Sequence, residues 1–122
     1  MKTENLVLDK SFTFSIRIVK VYQFLSKEHK EYALSKQLLR AGTSIGANIN
    51  EAQAAQSEKD FIGKLSIANK EARETHYWLQ LLTEMGYLNN KEQHVVSLLE
   101  ESIELIKLLT SIIKTTQLKN KK

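Results

Sequence analysis

The chain has 122 residues, which is the size of one domain, because domains usually contain about 100–150 residues. With 42% hydrophobic residues it is too apolar for a disordered chain, and with no proline and only 4 glycines it is too poor in turn residues for a β-sandwich. The absence of cysteine excludes disulfides, thiolate metal sites and cysteine nucleophiles. The composition therefore predicts a single domain, residues 1–122, built from long helices.

The sequence also bears on location. The opening residues, MKTENLVLDK, lack the apolar core of a signal peptide. The longest apolar runs are far shorter than the roughly 18–20 residues that cross a bilayer. We therefore expect a cytoplasmic protein with no membrane partner.

The net charge of +4 is unevenly distributed along the chain. Residues 1–30 contain 6 basic and 3 acidic residues, whereas residues 58–88 contain 4 and 5. Residues 114–122 contain Lys114, Lys119, Lys121 and Lys122 and no acidic residue. Two interpretations of this basic tail stay open: a frayed, solubilising terminus, or an arm that contacts nucleic-acid phosphates.

The first two predicted helices span residues 11–29 and 33–56. In both, apolar residues recur at spacings of three and four, which places them on one helix face. In the second helix Gly42 and Gly46 each cost about 1 kcal/mol relative to alanine, so we expect a neighbouring helix to approach closely there. A phosphate-binding loop at AGTSIGAN is excluded, because no lysine follows at the required position and no strand precedes it.

The third and fourth helices are predicted over residues 58–86 and 91–117, followed by a basic tail at 118–122. Ser57 with Asp60, and Asn90 with Gln93, resemble capping boxes, and Gly86 is a C-terminal stop signal. The fourth helix has a second apolar stripe beside its first, wider than a single bundle requires. We expect a homo-oligomer formed largely through helix one or four, with this surplus stripe as its interface. Its residues are Leu98, Leu105, Leu108 and Ile112.

Short connections between long helices favour antiparallel neighbours, so the predicted fold is all-α: an antiparallel up-down-up-down four-helix bundle. Such bundles include di-iron proteins, which need Glu-x-x-His motifs. Here the positions three residues before the histidines hold Ser26, Arg73 and Lys91. No serine lies in a nucleophile elbow either. We expect no catalytic residues, no metal, no cofactor and no enzymatic activity.

A polar stripe follows one face of the second helix and faces a similar stripe on the third. If the two helices fold back at Ser57, paired residue numbers sum to 114 or 115. This register sets Arg40 level with Glu74, Glu51 with Lys64, and Ser44 with Glu71. We interpret the stripe as ion pairs that fix helix register; a ligand site and plain surface charge are the alternatives. The stripe comprises Gln37, Arg40, Ser44, Asn48, Glu51, Lys64, Glu71, Glu74 and Trp78, the last expected to anchor a core or interface.

Three segments carry a specific resemblance: KSFTFSIRIVKVY (10–22), QLLRAGTSIGANINEA (37–52) and SEKDFIGKLSIANKEARETHYWLQLL (57–82). They closely resemble the bacterial four helix bundle proteins encoded in intervening sequences of 23S ribosomal RNA genes, whose biochemical role is not established. The resemblance attaches to twelve signature positions, without assigning catalysis to any. They are Gln37, Arg40, Thr43, Ser44, Asn48, Glu51, Asp60, Phe61, Lys64, Glu71, Glu74 and Trp78.

The resemblance implies a ring-like homopentamer. It also implies kinship with the accessory protein of diversity-generating retroelements, a bundle that binds nucleic acid through a basic surface and assists a reverse transcriptase. We therefore expect a non-enzymatic homo-oligomer that binds RNA or DNA weakly and without sequence specificity, through a composite basic surface. The alternative is an oligomeric scaffold for protein interactions with no nucleic-acid role. The expected basic residues are Arg17, Lys20, Lys27, Lys114, Lys119, Lys121 and Lys122.

Overall fold

A computed structural model describes residues 2–119 of the chain, with side chains from residue 5 onward. Within residues 2–119 there are four α-helices and no strand. Helices α1 and α3 each pack against α2 and α4, so the four helices close into a bundle, which confirms the all-α four-helix fold. The helices are α1 (Lys2–Glu28), α2 (Ala33–Ala52), α3 (Glu58–Glu84) and α4 (Gln93–Lys119).

The core is a column of aliphatic side chains with one phenylalanine, and every helix contributes to it. The large side chains almost fully removed from solvent are Phe14, Ile18, Leu25, Leu38, Ile45, Ile49, Leu65, Leu79, Leu82, Leu98, Leu105 and Leu109. Burial of each such side chain stabilises the fold by about 1.5–3 kcal/mol before the cost in chain entropy.

The start predicted for the first helix is wrong. Residues 2–10 are helical as well, and Ser11, the first residue of the predicted helix, lies inside α1. Ser11 is buried, and its hydroxyl donates to the carbonyl of Leu8 at 2.9 Å. Val7, two turns before Phe14, belongs to the core. The hydrophobic stripe thus extends N-terminally past a serine that resembles a cap in the sequence.

The turn between α2 and α3 shows the predicted cap in a modified form. Helix α2 ends at Ala52, four residues before the expected boundary at 56. The Ser57 hydroxyl accepts a hydrogen bond from the Asp60 amide at 3.0 Å, which confirms Ser57 as the N-cap of α3. The Asp60 carboxylate accepts from the Gln56 amide at 3.4 Å, so the reciprocal bond is made one residue before the cap.

The connection from α3 to α4 agrees with the prediction at one end only. Gly86 has a φ of 85°, which is the left-handed conformation of a helix C-terminal glycine. Helix α4, however, begins at Gln93, and Asn90 does not cap it. Instead the carbonyl of Glu92 accepts from the amides of Val95 and Val96, at 3.1 and 3.2 Å.

The start of α2 is capped by a residue outside the helix that the sequence analysis did not identify. The Glu31 carboxylate accepts from the amides of Leu34 and Ser35, at 3.0 and 2.7 Å. Burial of this carboxyl alone would raise its pKa. The hydrogen bonds from these amides and from the Ser35 side chain outweigh burial, so the Glu31 pKa lies below its ordinary value of 4.5.

The surplus apolar stripe predicted on the fourth helix belongs to the core of the subunit, so the interface assigned to it is wrong. Leu98, Leu105 and Ile112 are buried, and Leu108 is half-buried against the core. Helix α4 packs against both α1 and α3, and it therefore needs a wide apolar face within one subunit.

Four hydroxyl-bearing residues are buried in the core, one on each helix. Each donates a hydrogen bond to a carbonyl three or four residues earlier in its own chain segment, at 2.7–2.9 Å. Their polarity is therefore compensated locally. The four residues are Ser11, Ser35, Thr75 and Ser102.

Candidate functional site

The polar stripes on α2 and α3 meet in the predicted register. Arg40 Nη1 donates to Glu71 Oε2 at 2.9 Å, and Arg40 Nη2 forms an ion pair with the Glu74 carboxylate. Lys64 Nζ lies 3.1 Å from Glu51 Oε1. Burial of Arg40 acts to lower its pKa, but the hydrogen bonds and charges of the two glutamates raise it, so the guanidinium stays charged.

Other members of this stripe bond within their own helix. The Ser44 hydroxyl donates to the carbonyl of Arg40 at 2.6 Å, so Ser44, expected level with Glu71, bonds within its own helix. The Asn48 side-chain amide donates to the carbonyl of Ser44 at 2.8 Å. The Gln37 side chain is exposed to solvent. A serine hydroxyl is too short to reach across while an i−4 carbonyl is available.

Trp78 completes the stripe. Its indole Nε1–H donates to Glu74 Oε2 at 3.1 Å, and the ring packs against the core. Glu74 therefore accepts from both Trp78 and Arg40. Because its acidic and basic groups hold one another, the stripe resembles a register-fixing network more than a site with a free acid or base.

The basic residues expected to contact nucleic acid do not form one patch on a subunit. Arg17 Nη1 lies 2.8 Å from Glu101 Oε1 and donates to the Ser97 hydroxyl, and Arg17 Nη2 donates to the carbonyl of His94. Lys20 and Lys27 are exposed on the C-terminal half of α1, whereas Lys114 and Lys119 lie near the opposite end of the bundle. The antiparallel pairing of α1 with α4 places Lys20 and Lys114 about 28 Å apart along the axis. Lys121 and Lys122 lie outside the described residues.

A second group of cations lies in a groove between α3 and α4. Three cationic side chains face this groove, and none of its lining residues is acidic. Lys70 and Arg73 line the groove with residues of α4, whereas Glu71 and Glu74 contact Arg40 of α2. The sequence analysis did not identify them, because α3 as a whole contains 4 basic and 5 acidic residues and shows no excess of positive charge. The lining residues of this α3–α4 groove are Ser66, Asn69, Lys70, Arg73, Thr110, Ile113, Lys114 and Gln117.

Helix α1 presents an apolar face to solvent. Phe12, Ile16 and Val19 follow one another at spacings of four and three and are 68%, 44% and 36% exposed. Phe12 also lines a groove between α1 and α2, in which Asp9 is the one charged residue. We call Phe12, Ile16 and Val19 the α1 apolar face.

Two further properties concern the described part of the chain. No helix among residues 2–119 is both long and apolar enough to pass through a membrane. The same residues contain no cluster of three or more histidine or carboxylate side chains arranged to hold a metal ion.

The chain is similar to a known protein family and to a solved structure. Residues 3–111 match the 23S rRNA-intervening sequence protein family. The chain is 54% identical, with a TM-score of 0.88, to the crystal structure of a protein of unknown function from the S23 ribosomal protein family of Bacteroides thetaiotaomicron VPI-5482. This similarity covers 92% of the chain and 98% of that protein. No curated protein is significantly similar. The chain therefore belongs to the 23S rRNA-intervening sequence protein family.

Proposed function

We propose that the protein is a non-enzymatic, cytoplasmic homo-oligomer that binds nucleic acid without sequence specificity. The α1 apolar face is the observation that supports assembly into a homo-oligomer. Large contiguous apolar patches usually mark interaction sites, and a second copy of the chain is the simplest partner. The resemblance to bacterial four helix bundle proteins supports a pentamer.

The arrangement of charge supports binding to phosphates rather than bases. The exposed cations include Lys20, Lys27 and Lys114, spread over the length of the bundle. Scattered lysines suit phosphate contact and carry no base-reading pattern. Each subunit offers a modest basic surface, and assembly multiplies it. Kinship with the accessory protein of diversity-generating retroelements, implied by the resemblance, is part of the same proposal.

Two properties of the polar stripe support a non-enzymatic role. Its charged groups are paired with one another, and the Trp78 indole is directed to Glu74. A general acid or base needs a proton position that substrate can reach. The pairing of Arg40 with two carboxylates leaves no such position on this face.

The experiment measures mass and binding on the same preparation. Light scattering at micromolar concentration is expected to give a multiple of the subunit mass. Anisotropy of labelled RNA and DNA, single- and double-stranded, is expected to show binding at 50 mM salt that weakens steeply by 200 mM, because each neutralised phosphate adds about 0.7–0.9 to the salt slope. A measured mass equal to that of one subunit would overturn the proposed homo-oligomer.

The second candidate is an oligomeric protein scaffold, which the weakly charged α1–α2 groove favours. A scaffold of this kind is expected to bind no RNA or DNA. An intact oligomer that binds no RNA or DNA at 50 mM salt would overturn the nucleic-acid proposal and leave the scaffold.

A further inference from the structure

The α3–α4 groove is built around a direct contact between the two helices. Asn69 Nδ2 donates to the Thr110 hydroxyl at 3.1 Å, and His76 Nδ1 lies 2.8 Å from the Ser102 hydroxyl two turns away. These bonds fix how α3 and α4 lie side by side. The cations on the groove are therefore displayed by two rigid helices and not by a loop.

The cations of this groove form no ion pair within the described part of the chain. No described carboxylate lies within 4.0 Å of the charged groups of Lys70, Arg73 or Lys114. On α4, residues 105–119 include three lysines and no acid. On α3, the neighbouring Glu71 and Glu74 are both bound to Arg40 of α2. The groove is thus a local excess of positive charge on a chain whose overall charge is small.

An exposed aromatic side chain lies next to these cations. Tyr77 is one helical turn beyond Arg73 on α3 and is 56% exposed. Its ring meets the ring of Trp78 edge-on, with centroids 5.2 Å apart and an interplanar angle of 72°. Trp78 is packed against the core, so it supports the tyrosine ring while leaving much of that side chain open to solvent.

Cations that track a backbone, beside an aromatic ring open to solvent, are what single-stranded nucleic acids require of a sequence-tolerant site. We propose that the α3–α4 groove binds the phosphodiester backbone of a single-stranded nucleic acid through Lys70, Arg73 and Lys114, with Tyr77 stacking on a base. This inference rests on the proposed nucleic-acid function and names its surface. It shares Lys114 with the surface expected from the sequence, which otherwise centred on α1 and the C-terminal tail.

The test compares two triple variants that remove the same charge. Lys70→Gln, Arg73→Gln and Lys114→Gln change the groove, whereas Lys36→Gln, Lys59→Gln and Lys91→Gln change exposed lysines that are not assigned to nucleic-acid binding. The readout is the anisotropy of a labelled single-stranded 20-mer, RNA and DNA in turn, at several salt concentrations. The groove variant is expected to bind at least about tenfold more weakly at low salt, with a salt slope smaller by about 2, and the control to lose much less.

A second comparison tests the stacking residue. Tyr77→Ala is expected to weaken single-strand binding at least about fivefold, and Tyr77→Phe to retain it, because stacking uses the ring and not the hydroxyl. Tyr32→Ala is the matched control, since Tyr32 is also an exposed tyrosine but lies at the start of α2. Circular dichroism establishes that each variant is folded as the wild type is.

The outcomes separate the two proposals. Equal losses in the two triple variants would overturn the groove and leave the general nucleic-acid function standing. An unaltered protein that binds no nucleic acid would overturn both. Stronger binding to polyglutamate than to the 20-mer, abolished by the groove variant, would show that the cations serve an acidic protein and would also overturn the proposal.

Discussion

Ile18 and Gly42 are in such close contact that a β-carbon on Gly42 would lie 2.7 Å from Cγ2 of Ile18. Ile18 is fully buried, and its own Cβ, which moves only with the backbone, would lie 3.2 Å from the added carbon. The predicted close approach of a helix to this glycine is confirmed, and the neighbour is α1.

The first prediction follows from this contact. Gly42→Ala should lower the free energy of unfolding by about 1–3 kcal/mol, because the added methyl overpacks the α1–α2 contact. The gain in helix propensity, about 1 kcal/mol, is too small to offset this. Urea denaturation followed by circular dichroism measures the change.

Gly63 provides the control for that measurement. It lies inside α3, and a β-carbon there would meet nothing within 4 Å. Gly63→Ala should therefore stabilise the protein by about 0.5–1 kcal/mol. If both alanine variants were stabilised equally, the close α1–α2 approach would be refuted.

The Arg40–Glu71 pair should contribute modestly to stability. The Arg40 side chain is 48% exposed and that of Glu71 17%, so the pair is closer to a surface bridge than to a buried one. A double-mutant cycle with Arg40→Ala and Glu71→Ala should give a coupling of at most about 1 kcal/mol, decreasing with salt. Exchanging the two charges should recover part of the loss. A coupling of 3–5 kcal/mol would instead indicate a desolvated pair.

The Glu31 cap should make stability depend on acidity. Its carboxylate has a lowered pKa in the folded state, so its contribution is complete above the ordinary value of 4.5 and is lost as the pH falls through the folded pKa. Glu31→Ala should cost about 1 kcal/mol at pH 7, the usual value of an N-terminal cap. The variant and the wild type should converge as the pH falls from 4.5 through the lowered pKa of Glu31. Glu28→Ala, which changes an exposed glutamate at the end of α1, should show no such convergence.

The α1 apolar face and the α4 core should respond differently to substitution. Phe12→Ser with Ile16→Ser should leave a folded protein that dissociates, as light scattering and circular dichroism together would show. Leu105→Ala should instead cost about 2–5 kcal/mol of folding stability, because it opens a cavity in the core. Ile67→Ser, a change at an exposed isoleucine on α3, should affect neither property. An unchanged mass for the α1 variant would exclude that face as the interface.

The sequence predicted those features that depend on periodicity. The 3–4 spacing identified four helices and their core faces, and the fold-back at Ser57 placed Arg40 beside the glutamates of α3. Helix ends were less predictable, because a serine can cap a helix or bond to its own backbone within it. Ser57 does the first and Ser11 the second, and their hydroxyls differ in surroundings that only the tertiary structure provides.

The location of surfaces could not be predicted for a related reason. A single helix shows which of its residues are apolar, but how many neighbours cover them depends on packing. In the sequence, Leu98 and Ile112 make the apolar surface of the fourth helix wider than one bundle requires. In the structure they are buried where α4 packs against α1 and α3. Conversely, Arg73 and Lys114 are distant in sequence and line one groove, because α3 and α4 run antiparallel.

The buried hydroxyls have a consequence for how the bundle assembles. Ser35, Thr75 and their counterparts on α1 and α4 donate to carbonyls of their own segments, so each helix arrives with its polar groups already satisfied. No hydroxyl must find an acceptor on another helix before the core can close. The correct partnering of the helices is then encoded in the fit of Gly42 against Ile18, in the charges at the rim and in the two α3–α4 bonds, and Ser11, Ser35 and Thr75 can exchange their hydroxyls for methyl groups without losing that code.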